Sequence, residues 1–80
     1  LQSWYFKLGQ ALSKTQRQID DEGSLRINLE ELRQLSLTAP AEVSSMYLER
    51  LTNLAGIGQT SSLDAAAKEN IKAHIRSLLF

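Results

Sequence analysis

The sequence predicts an all-α fold, a compact bundle of four short helices, mostly antiparallel. Three observations carry this. Apolar residues recur at three- and four-residue spacing in four successive segments. Short runs rich in Gly, Pro, Ser and Asp separate those segments. No low-complexity stretch or long linker interrupts the 80 residues, which suit one domain over 1–80.

The first helix is expected from Leu1 to about Asp20. Leu1, Trp4, Tyr5, Leu8, Ala11, Leu12, Thr15 and Ile19 form its apolar stripe, and Gln2, Lys7, Gln10, Lys14, Arg17 and Gln18 fill the other face. Asp20-Asp21-Glu22-Gly23 reads as its stop, because acids oppose a helix C-terminus and Gly23 suits a left-handed cap. Leu25, Ile27 and Leu29 alternate with polar residues, so a short extended stretch could form. A helix start at Asn28 fits better, with Glu31 three residues on and Ile27 stapled to Leu32. Leu29, Leu32 and Leu35 then face inward, and the second helix ends near Leu37.

Thr38-Ala39-Pro40-Ala41-Glu42 reads as the third helix start, since proline is tolerated in a first turn. Its stripe is Val43, Met46, Tyr47, Leu51 and Leu54. Gly56 is expected as a left-handed cap, with Ile57 folding back toward Leu51. Ser61 and Asp64 make a capping pair for the last helix, whose stripe is Leu63, Ala67, Ile71, His74 and Leu78, flanked by Ile75.

Composition narrows the chemistry. Nine basic residues balance nine acidic ones, whereas a dedicated nucleic-acid binder carries a basic excess. Without cysteine there is no disulfide, thiolate metal site or thiol nucleophile. His74 is the only imidazole, so no histidine-based zinc set can be assembled, and no serine lies in a nucleophile-elbow pattern. Asp20, Asp21 and Glu22 lack the alternating spacing of a calcium loop. No metal, cofactor or catalytic residue is therefore expected, and the reading is non-enzymatic. No apolar run approaches the ~18 residues of a membrane span, and no secretory signal pattern occurs. The start at Leu1 rather than Met predicts a fragment of a longer protein.

Leu54-Ala55-Gly56-Ile57-Gly58 resembles the turn of the helix-hairpin-helix family. The resemblance covers about a quarter of the chain. It implies DNA-backbone contact through main-chain amides near Gly56 and Gly58, joined here by a Lys68, Lys72 and Arg76 ridge. Gln59, Thr60 and Ser61 follow where a basic residue would meet the phosphate.

The leading expectation rests on apolar residues lying off their stripes. Phe6 points away from the first helix's inner face, Leu79 does the same on the last helix, and Phe80 ends the chain. In an up-down bundle these three share one end. They mark a candidate interface of a protein–protein interaction or oligomerisation module, whose partner is a second copy or another domain of the parent chain. The second expectation is an extracytoplasmic sensor-type domain of a membrane receptor, with Trp4, Tyr5, Phe6 and Phe80 at the lipid interface. The third is the DNA-backbone binder.

Overall fold

The computed structural model describes residues 2–59 and 62–79. These residues form four helices: α1 (Gln2–Arg17), α2 (Glu22–Leu37), α3 (Ser45–Ile57) and α4 (Ala65–Leu79). Each packs on its sequence neighbour, and α4 closes the ring on α1. Contact is broadest between α2 and α3 and narrowest between α1 and α4. The all-α bundle is as expected from the four apolar stripes.

Two long-range hydrogen bonds fix the antiparallel order. The Trp4 indole N–H, near the start of α1, donates to the Leu35 carbonyl near the end of α2 at 2.9 Å. The Tyr47 hydroxyl, in the first turn of α3, donates to the Leu78 carbonyl near the end of α4 at 3.1 Å. Leu78 belongs to the last turn, whose carbonyls have no partner within the helix, so Tyr47 satisfies a group that would otherwise need water. Burial pushes the Tyr47 phenol up from its ordinary pKa, and the nearby Tyr5 phenol adds to this. The core between the helices holds Leu8, Leu12, Leu25, Leu29, Leu32, Leu51, Leu54, Ile71 and Ile75, all almost wholly buried. Full burial of such a side chain contributes about 1.5–3 kcal/mol before entropy is counted. Two polar residues sit among them. The Thr15 hydroxyl donates to the Ala11 carbonyl at 2.7 Å, and the Asn28 amide donates to Gln18 at 2.8 Å.

Several expected boundaries are corrected. The acidic run does not stop α1; it starts α2. Asp21 is extended, at φ −99 and ψ 100, and its carboxylate accepts from the Ser24 amide and hydroxyl at 3.3 and 3.0 Å. Glu22 opens the first turn, where negative charge suits the exposed amides. Gly23 lies inside α2, and no described residue adopts a positive φ. Asn28 is therefore a buried mid-helix residue rather than a cap, and Ile27 is exposed rather than stapled to Leu32.

Thr38 ends α2 instead of beginning α3. Its amide and hydroxyl both reach the Gln34 and Leu35 carbonyls. Pro40 then makes a turn closed by the Val43 amide, and α3 begins only at Ser45. The later start sets the phase. Tyr47, Leu51, Leu54 and Ala55 face inward, while Met46 points outward with Arg50 and Asn53. Gly56 is helical rather than left-handed, and Gly58 is the cap residue of α3 at φ −69 and ψ −12. Asp64 caps α4 by accepting from the Ala67 amide at 2.9 Å. The expected roles of Leu1, Ser61 and Phe80 lie outside the described residues.

The Asp21 cap makes stability depend on pH. Its carboxyl is held below the ordinary carboxylate range, first by the Ser24 amide and then by the Ser24 hydroxyl. A folded-state pKa below the unfolded one stabilises the fold above the unfolded value and ceases to do so as pH falls through the folded value. The Asp21→Ala variant is expected to melt below the parent at neutral pH, with the gap narrowing toward pH 2. Thermal melts of both proteins across that range check this; a gap independent of pH would mean the carboxylate charge is not involved.

Candidate functional site

The ring brings the start of α1, the end of α2, the start of α3 and the end of α4 to one end of the molecule. That end holds most of the large apolar side chains left exposed: Tyr5, Phe6, Leu37, Met46 and Leu79. Phe6 is 66% exposed and Leu79 36%. Among the described residues, Ile27, in the second turn of α2, is the one exposed large apolar residue placed toward the opposite end. The opposite end is polar, with Gln18, Asp20, Asp21, Glu22, Gln59 and Asp64 around its two connections.

Helical phase explains the exposed positions. Trp4 and Leu8 lie on the inner face of α1, whereas Phe6 shares its ridge with Gln10, Ser13 and Arg17, which face outward. Tyr5 lies on the flank between the two. Its ring meets Trp4 edge-on at 5.1 Å and an 81° angle, a favourable aromatic arrangement. Leu79 stands on the flank of α4 that carries Lys68 and Lys72, beside α1. Of the expected interface, Phe6 and Leu79 thus come to the same end, and Phe80 lies outside the described residues. Leu37 and Met46 join them unanticipated, and Tyr5, expected in the inner stripe of α1 and among the terminal aromatics of the receptor reading, joins them from the flank. An α3 beginning near residue 38 would turn Met46 inward, whereas its start at Ser45 turns Met46 outward; Leu37 is exposed in the last turn of α2. An open depression of about 870 Å³ runs along α1, lined by Tyr5, Phe6, Gly9, Ser13, Arg17 and Leu79 among others.

The expected phosphate contact is not assembled at the described residues. The amides of Gly58 and Gln59 donate to the Ala55 and Gly56 carbonyls at 3.2 and 3.0 Å. Gly58 packs on Leu29, and its carbonyl accepts from Arg26 at 3.2 Å. In the ridge, Lys68 lies 4.0 Å from Asp20 and Lys72 lies 3.4 Å from Glu69. No amide at 58 or 59 therefore remains to meet an anion.

His74 is half-buried at the edge of α4's inner stripe, with Nδ1 2.8 Å from the Asn70 carbonyl. It lines a small hollow of about 230 Å³ with Arg50, Asn70, Ala73 and Ser77. Among the described residues there is no cluster of three or more metal-binding side chains. None of the helices there is long and apolar enough to cross a membrane.

Fold and surface together define the class: an all-α four-helix bundle with most of its exposed large apolar side chains, among the described residues, at one end. No protein-family model matches the chain, and no curated protein or solved structure is significantly similar to it.

Proposed function

We propose that this chain is a non-catalytic helical module that works by protein–protein contact or oligomerisation through the end carrying Phe6 and Leu79. The gathering of Tyr5, Phe6, Leu37, Met46 and Leu79 at that end supports the reading. Exposed apolar residues scattered singly over a surface are ordinary, but their concentration at one end is the pattern that interfaces bury. The small core adds a reason to associate, because an 80-residue chain without disulfides gains stability from any surface it covers.

Sedimentation at high micromolar concentration tests this. The parent chain is expected to self-associate. Phe6→Ser is expected to sediment as a smaller species with little change in unfolding free energy, because Phe6 is mostly solvent-exposed within one chain. A parent chain that stays monomeric at high micromolar concentration, or a Phe6→Ser variant that sediments like the parent, would contradict the reading.

A second reading is an extracytoplasmic sensor-type helical domain of a membrane receptor. It is favoured by the start of α1 and the end of α4 lying at the same end as Tyr5 and Phe6. A parent sequence lacking apolar spans outside residues 1–80 would contradict it.

A further inference from the structure

The charge on α1 is one-sided. Between Gln2 and Arg17 the helix carries Lys7, Lys14 and Arg17 and no acidic residue. The molecule as a whole is neutral. Lys7, Gln10, Lys14 and Arg17 fall at i, i+3, i+7 and i+10, so the basic residues follow one ridge along the helix. The same depression that Phe6, Tyr5 and Leu79 line at the terminal end is lined along its length by Lys7, Lys14 and Arg17. Among the described residues its one carboxylate is that of Glu31 on α2, 3.6 Å from Lys14. Lys7 and Arg17 make no ion pair with any described residue. The C-terminal dipole of α1 accounts for basic residues in its last turn, but not for Lys7 or for the absence of any acid.

We infer that the depression along α1 docks an acidic amphipathic helix of a partner protein. Apolar side chains of that helix would seat against Tyr5, Phe6 and Leu79, and its carboxylates would meet Lys7 and Arg17. The distance from Phe6 to Arg17 is about 16 Å along the axis, which matches roughly three turns of a docked helix. Gly9 lies in the depression with open space where a Cβ would be, so a second helix can approach α1 closely there. The shape favours a rod over a bilayer, because a concave trough lined along a helix offers a flat lipid surface few simultaneous contacts. This inference rests on the interaction reading above and specifies the partner's chemistry.

The test uses a labelled helical peptide with leucines on one stripe and flanking glutamates, beside the same peptide with every glutamate changed to glutamine. The glutamate peptide is expected to bind more weakly as salt rises. The double variant Lys7→Glu/Arg17→Glu is expected to weaken it about tenfold or more, since reversed rim charges turn attraction into repulsion. Phe6→Ser is also expected to weaken it, and Arg50→Glu on α3 to leave it unchanged. Equal binding of the glutamine peptide would overturn the acidic specificity while leaving the contact reading intact. Failure of both peptides to bind, or binding indifferent to the Lys7 and Arg17 changes, would overturn the site. So would capture by phosphatidylserine vesicles that depends on Lys7 and Arg17 without peptide binding, which would assign the groove to a lipid surface.

Discussion

Replacing Trp4 with alanine is expected to destabilise the fold by about 3–5 kcal/mol, the cost of removing a large buried aromatic and leaving part of its volume unfilled. Trp4 is 7% exposed, so nearly all of its surface is shielded from water. It also joins two helices, because its indole N–H donates to the Leu35 carbonyl at 2.9 Å. A domain of this size has a total stability near 4–12 kcal/mol. The variant is therefore expected to be partly unfolded at ambient temperature or to melt tens of degrees lower. Trp4→Phe keeps most of the apolar volume and loses the hydrogen bond, so its cost should be nearer 1–2 kcal/mol. Because Trp4 is the only tryptophan, both variants must be followed by far-ultraviolet circular dichroism during urea unfolding. A cost below about 1 kcal/mol for Trp4→Ala would show that the indole is not enclosed between α1 and α2.

Gly58→Ala is expected to destabilise by about 1–3 kcal/mol, whereas Gly56→Ala, two residues earlier, is expected to stabilise by about 0.5–1 kcal/mol. The signs differ because the surroundings differ. A Cβ on Gly58 would lie 2.8 Å from Leu29 Cδ1 and 3.0 Å from Leu29 Cβ. Leu29 is almost wholly buried, so it has no free space to retreat into. A Cβ on Gly56 would meet nothing within 4 Å, and alanine is the better helix former. Neither glycine has a positive φ, so neither is needed for backbone conformation. Chemical unfolding of the two variants checks the pair. Destabilisation by Gly56→Ala would mean that its surroundings are tighter than the structure shows.

The number and order of helices were legible in the sequence because each apolar stripe is long enough to report its own period. The boundaries were less legible, for a physical reason. Asp20-Asp21-Glu22 is unfavourable at the end of one helix and favourable at the start of the next, and local sequence does not say which helix it serves. Thr38 posed the same ambiguity. Its hydroxyl can cap the helix that follows or satisfy carbonyls of the helix that precedes, and the structure shows the second. An α3 begun at residues 38–42 would turn Met46 inward; the actual start at Ser45 turns it out. For the candidate surface, Phe6 and Leu79 were legible from phase alone. Tyr5 reads as part of α1's inner stripe because a flank position resembles a core position when an aromatic occupies it, yet it is 48% exposed. The depression along α1 was hidden because it depends on Leu79 and Glu31 arriving from other helices.

The most direct measurement of the terminal end as a contact surface is a series of amide and methyl NMR spectra recorded while the chain is diluted. Shifts and line broadening are expected to concentrate at Tyr5, Phe6, Leu37, Met46 and Leu79, while Ile27 and the Asp21 cap stay unchanged. Spectra independent of concentration, or changes centred on Ile27 and the polar end, would contradict it.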